Sequence, residues 1–274
     1  MKSLGLLALS LFLTLFGNSQ IIVTTAIDEE QITPGTGLSL REAISTAPPG
    51  SIITFAPALS GQSIILTAGQ LLIAKDLTID ASALPDGISI NANGAITNHR
   101  VLEIAEEVNN ITLNLLTITG GNANNGSTPF SMFGGAILIN GLTNLTINNS
   151  TLSNNSAEFG GAITNQIGIV TINNSTLSNN FAANNGGGII NGGSLTITNS
   201  TLSQNSTLDS GGAISNFLGT ITLNNSTLSE NSASNIGGAI SNNGTLNLNN
   251  SIVAGNNAIS SPNITGFILS LIHI

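Results

Sequence analysis

The sequence predicts an all-β chain wound as a parallel β-helix, and three observations carry that prediction. First, one string of residues is written five times between positions 145 and 256. It reads LTINNSTLSNNSAEFGGAITN from Leu145, VTINNSTLSNNFAANNGGGIIN from Val170 and LTITNSTLSQNSTLDSGGAISN from Leu195. It continues as ITLNNSTLSENSASNIGGAISN from Ile221 and fades out as LNLNNSIVAGNN from Leu246. Equivalent positions such as Ile147, Ile172, Ile197, Leu223 and Leu248 recur every 25 or 26 residues, a period that belongs to solenoids and arrays. Second, the runs inside each unit alternate apolar and polar, as in Leu145-Thr146-Ile147, which is the period of a strand with one buried face. Third, Asn-Asn, Asn-Ser or Gly-Gly interrupts every run after three to five residues, leaving no room for a helix.

Each coil is therefore expected to hold about three short strands and three turns. So small a unit cannot bury its own apolar face; stacking does so, each strand pairing in parallel with its copy one coil later, about 4.8 Å away. About eight such coils fill residues 51–266, a rod near 40 Å long by strand spacing.

Composition narrows the function classes. Net charge is −9, yet only 6% of the 274 residues are charged and Lys plus Arg number four, which excludes a nucleic-acid footprint. The chain lacks Cys, so neither a disulfide framework nor a thiolate metal site is available.

From the start, residues 1–19 read as a secretory signal: Lys2 is the positive end, residues 4–16 the apolar core, and Gly17-Asn18-Ser19 the small residues before a cut. The core is too short to span a bilayer, so the mature chain is expected to be extracellular, with no membrane-spanning segment. Residues 20–50 are expected to form an N-terminal cap. Within it Ser39 and Glu42 have the spacing of a capping box, and Leu40, Ala43, Ile44 and Ala47 share one helical face. Pro48 and Pro49 then stop the helix. Ser39, Arg41 and Glu42 are read as parts of a plug over the open end of the solenoid, whose strand edges need cover.

From 51 to 121 the coils are less regular. Strand-like runs at 52–55, 64–66, 77–80, 88–90, 101–104, 111–113 and 116–118 supply the first three.

Two motifs resemble a known group. Residues 39–44, SLREAI, look like the N-terminal motif of bacterial secreted β-helix proteins named for the string CSLREA, with Leu38 where those carry Cys. Gly-Gly-Ala-Ile at Gly134, Gly160, Gly211 and Gly237 resembles half of the polymorphic outer-membrane protein repeat, with Gly186-Gly187-Gly188-Ile189 as a variant. The other half, F-x-x-N, is matched with Leu or Val for Phe at 152–155, 177–180, 202–205, 228–231 and 253–256. Residues 250–256 and 261–266 look like the closing section of the same proteins. The resemblance implies a right-handed, pectin-lyase-like solenoid on the surface of a Gram-negative bacterium. It also implies work as an adhesin passenger or rigid stalk, with host or environmental glycans or proteins as partners.

The repeated residues have structural readings. Asn165, Asn191, Asn216 and Asn242 hold one inward corner position in successive coils, where stacked amides bond one another. The pairs Gly134-Gly135, Gly160-Gly161, Gly186-Gly187, Gly211-Gly212 and Gly237-Gly238 permit a tight corner. Thr146, Thr171, Thr196 and Thr222 form one outward row, and Thr151, Thr176, Thr201 and Thr227 another. These rows read as solvated strand faces, or alternatively as a flat surface for ice or a crystalline polymer. The Asn-x-Ser/Thr strings, such as Asn149-Ser150-Thr151, follow from the repeat itself.

A polysaccharide-active enzyme of pectate-lyase type is the other alternative, and it needs converging carboxylates, a base or bound calcium. After residue 145 the acids are Glu158, Asp209 and Glu230, with no Lys or Arg. Glu158 and Asp209 share a loop position two coils apart, about 10 Å by strand spacing. Asp76, Asp80, Arg100 and Glu103 are the other candidate cluster, and His99 beside Arg100 reads as a surface residue. No catalytic residue, metal ligand or cofactor is expected. Residues 267–274, FILSLIHI, break the coil pattern and are expected to be a tail from an incomplete reading frame.

Overall fold

A computed structural model describes residues 19–30, 37–124 and 130–266, with the backbone of residues 270–272. The signal segment, apart from Ser19, lies outside the described residues. The architecture is a parallel β-helix, and its coils hold four strands where the alternation predicts three. In the coil beginning at Asn144 these are Asn144–Asn148, Thr151–Ser153, Ser156–Phe159 and Ile163–Asn165. Stacked copies make four parallel sheets, numbered I to IV in that order, with ten, eight, five and eight strands. Sheet III is the unforeseen one. Some of its strands, such as Ser206–Thr207, have only two residues, too few to display a period.

Register follows the repeat. Ile147 pairs with Ile172, Ile172 with Ile197, Ile197 with Leu223 and Leu223 with Leu248. These residues are at most 3% exposed. Burying each such side chain contributes about 1.5–3 kcal/mol, and the column runs back through Leu113, Ile79 and Ile53.

Corners depend on residues that tolerate a left-handed backbone. Asn149 (φ 50°) turns the chain from sheet I to sheet II, and Asn154 (φ 55°) turns it on to sheet III. Gly160 (φ 67°) then leads into sheet IV. The second Gly of each pair has another duty: a Cβ on Gly161 or Gly187 would collide with the carbonyl oxygen of Gly187 or Gly212 in the next coil.

Two asparagine ladders run through the interior. Asn165, Asn191, Asn216 and Asn242 continue an inward column that begins as Ile73, Ile104 and Ile139. Each Nδ2 donates to the Oδ1 of the next, at 2.8, 2.9 and 2.7 Å. The second ladder, unassigned in the sequence reading, is Asn155, Asn180, Asn205, Asn231 and Asn256, with steps of 3.0, 2.9, 3.0 and 2.9 Å. Its amides also bond the backbone: Asn205 Nδ2 donates to Leu177 O, and Asn205 Oδ1 accepts from Asn180 N. Buried amides left unpaired would cost about 1–3 kcal/mol each; here neighbouring coils satisfy one another.

The cap is built from the helix Leu40–Thr46. Ser39 Oγ accepts from Glu42 N at 3.2 Å, and Glu42 Oε2 accepts from Ser39 N at 2.8 Å. Sheet I nevertheless starts ahead of the helix, because Gln20–Val23 pairs with the strand Ser51–Phe55. The tail also departs from expectation: Ser270–Ile272 pairs in parallel with residues 247–249 and extends sheet I.

Candidate functional site

The outer face of sheet IV is sheltered from solvent over much of its length. The middle residue of each strand points away from the core by alternation, giving the column Glu103, Leu138, Thr164, Ile190, Ser215 and Ser241. From Leu138 to Ser241 these residues are nonetheless at most 7% exposed. Two walls shelter them: residues at the sheet III side, including Phe133 and Phe159, and the turns that leave sheet IV, including Gln166 and Phe217. Between the walls lies an apolar cavity of about 390 Å³, lined by Phe133, Phe159, Thr164, Ile190 and Phe217. The Phe133 and Phe159 rings stack with centroids 5.1 Å apart and planes 20° apart.

Toward the N-terminal end the same face becomes polar. Arg100 Nη1 meets Glu103 Oε2 at 2.6 Å and Gln70 Oε1 at 3.0 Å, while its Nε donates to Phe133 O at 3.2 Å. Its Nη2 donates to Phe130 O, and Gln70 Nε2 to Glu103 Oε2. Asn140 Nδ2 donates to Glu103 Oε1 at 3.1 Å. Burial pulls the Arg100 guanidinium below its ordinary value, with the Glu103 carboxylate pulling the other way. A second cavity of about 280 Å³ opens here, lined by His99, Arg100, Glu103 and Phe130 among others. His99 is half-buried rather than a surface residue, its Nδ1 2.9 Å from Arg100 O. A carbonyl only accepts, so Nδ1 carries a proton. His99 Nε2 and Asn140 Oδ1 are both buried without a partner.

The early acidic cluster comes apart. Arg100 and Glu103 meet at sheet IV, whereas Asp80 ends a strand of sheet I. Asp76 sits at the turn before that strand, accepting from the amides of Asn109 and Asn110. Burial raises its pKa, but those bonds outweigh it and hold the carboxyl below its ordinary range. Glu158 and Asp209 do share a column, separated by Asn184. Glu158 Oε1 accepts from Asn184 Nδ2 at 2.7 Å, and Asp209 Oδ1 from Asn235 Nδ2 at 3.0 Å. Among the described residues no group of three His, Cys, Asp or Glu could hold a metal ion.

Arg41 pairs with Asp28, an acid absent from the sequence-based candidates. Nε lies 2.8 Å from Oδ1 and Nη2 2.9 Å from Oδ2. The two Thr rows lie on different sheets. Thr146, Thr171, Thr196 and Thr222 are on sheet I; Thr151, Thr176, Thr201 and Thr227 are on sheet II. The left-handed corner at Asn149 and its copies separates them, and all eight residues are half-buried.

No family model and no curated protein matches the chain. Solved structures do. A pectate lyase, Pel9A, aligns over 92% of this chain and 79% of its own, with TM-score 0.50 and 11% identity. An alginate lyase of the PL6 family, AlyGC, aligns over 93% of this chain but 40% of its own, with TM-score 0.48 and 15% identity. The likeness to the pectate lyase is one of fold: a parallel β-helix of about eight coils. Among the described residues no helix is long and apolar enough to cross a membrane.

Proposed function

We propose that this chain is a secreted bacterial β-helix that serves at the cell surface as an adhesin passenger or rigid stalk, without catalytic activity. One observation carries the reading: the three described cations all hold the fold together. Arg41 is bound to Asp28 and to the carbonyls of Gly69 and Gln70. Lys75 Nζ donates to Ser45 O and Ala47 O at the end of the capping helix. Arg100 is bound to Glu103, Gln70 and two carbonyls. None is free to abstract a proton or to grip a substrate carboxylate. The signal-like N-terminus and the likeness of SLREAI and the Gly-Gly-Ala-Ile repeat to secreted β-helix proteins support export and surface display.

A second reading, a polysaccharide lyase, has the Arg100–Glu103 pair beside a cleft in its favour, together with the fold shared with a pectate lyase. The surface reading is tested by labelling intact cells of the source organism with an antibody to the rod, and by deleting the gene. Label on intact cells and reduced attachment of the deletion strain are expected; antigen confined to the cell interior contradicts it.

A further inference from the structure

We infer that the turns leaving sheet IV form an interface for a second copy of this chain, with the two rods side by side and antiparallel. The lengths of these turns alternate. Between each inward Asn of sheet IV and the next strand of sheet I stand residues 166–168, then only 192–193, then 217–219, then only 243–244. The long turns carry large apolar side chains that stand out of the rod: Ile167 is 56% exposed, Phe217 50% and Leu218 85%. The short turns offer Gly192-Gly193 and Asn243-Gly244, so each leaves a gap beside a ridge. Gly192 also lines the apolar cavity together with Ile190, which deepens the first gap. Ridge, gap, ridge, gap becomes its own complement when reversed. A twofold axis between the turns at 192–193 and 217–219 sets Leu218 of each copy into the 192–193 gap of the other, and Ile167 into the gap at 243–244. Such a self-complementary patch is what a closed dimer requires.

Charge selects the direction. Ten of the thirteen acids and all four basic residues precede residue 108, and none of these four turns carries a charge. Antiparallel rods keep their acidic ends apart, whereas parallel rods would lay them alongside one another. A parallel pair in register would also set ridge against ridge. Staggered by one coil it would interleave them, but that contact is heterologous and continues into a filament. Area sets the strength. Leu142 and Ile169, 74% and 51% exposed, adjoin the row, so five large apolar side chains together present on the order of 500 Å². A standard interface buries about 800 Å² on each partner, which places this dimer at the weak, micromolar end.

The test is sedimentation equilibrium of the full chain from ~1 to ~100 μM. A monomer–dimer equilibrium is expected, and Leu218→Asp should weaken it roughly tenfold or more with its thermal transition unchanged. Should that variant lose the transition, Ile167→Asp gives the same comparison. Ile259→Asp, at a site 87% exposed but beside the bridge of Ser260 to Ile236 rather than on the row, should associate as the parent does. Direction is read by pulsed electron resonance from a nitroxide on Leu142→Cys, since the chain has no Cys of its own. Leu142 stands two and a half coils from the axis, so the two labels are expected about 25 Å apart; a parallel pair would hold them within about 10 Å. A monomer throughout the concentration range, undiminished association by the folded Asp variant of the row, an equal loss in Ile259→Asp, or the short separation overturns the inference. None of these results bears on the surface-stalk reading, which falls to cleavage of a polysaccharide or to absence from the cell surface.

Discussion

Arg41 and Asp28 form a two-bond clamp, Nε to Oδ1 at 2.8 Å and Nη2 to Oδ2 at 2.9 Å, across 13 residues of chain. Asp28 also accepts from the amides of Thr67 and Ala68, and Arg41 from its other side reaches the carbonyls of Gly69 and Gln70. The capping helix, the segment before it and the turn at 67–70 are therefore tied at one point. Planar, bidentate geometry of this kind is what distinguishes Arg from Lys.

That clamp makes the cap sensitive to acid. Burial raises the Asp28 pKa, but the bonds from Arg41, Thr67 and Ala68 outweigh it, and the folded carboxyl lies below its ordinary range. A depressed folded pKa means stability that is complete above the unfolded value, near 4 for Asp, and lost as pH falls through the folded value. Thermal melts from pH 7 downward should show the midpoint falling below about pH 4. Asp28→Asn should cost about 3 kcal/mol at pH 7 and flatten that dependence; an unchanged acid limb in the variant would contradict the assignment.

Asn205→Ala tests the second ladder. It removes the acceptor for Asn180 N and Nδ2 and the donor to Asn231 Oδ1 and Leu177 O. With buried partners left unpaired the expected loss is about 3 kcal/mol in denaturant unfolding. Asn256→Ala, at the 9%-exposed end of the ladder, should cost less than half of that. Equal losses would mean that stacking of amides is not what the ladder supplies.

How far the sequence speaks is clear from these residues. The 25- and 26-residue spacing of Ile147, Ile172, Ile197 and Leu223 gives the true register of sheet I, since a period transmits pairing directly. Asn155 and its copies repeat just as faithfully, yet an Asn after Ser-Asn looks like any turn residue, and inwardness has no local signal there. Sheet IV hides its groove for a related reason: Ile163, Thr164 and Asn165 are all buried, so alternation no longer marks an outside. Asp28 and Arg41 occur once each, and a contact without a repeat leaves nothing to count. The separation of Asp76 and Asp80 from Arg100 and Glu103 likewise depends on which sheet each strand joins.

Gly187→Ala tests the close stacking of corners. The added Cβ meets the carbonyl oxygens of Gly212 and Ser206, backbone atoms that cannot give way without separating coils. A loss above about 4 kcal/mol or failure to fold is expected. Gly255→Ala has open space around its Cβ and is strained through its φ of +69° alone, so about 1 kcal/mol is expected. Similar melting temperatures for the two variants would contradict this packing.

Whether the rod acts on a polymer is decided most directly by incubating the purified chain with polygalacturonate and with alginate, with and without calcium, and following unsaturated uronates by ultraviolet absorbance. A non-catalytic stalk whose three described cations are bound within the fold predicts no product above a buffer control. Product that accumulates with the parent chain and disappears in Arg100→Met or Glu103→Gln, with the fold intact, would contradict that account and make sheet IV an active site.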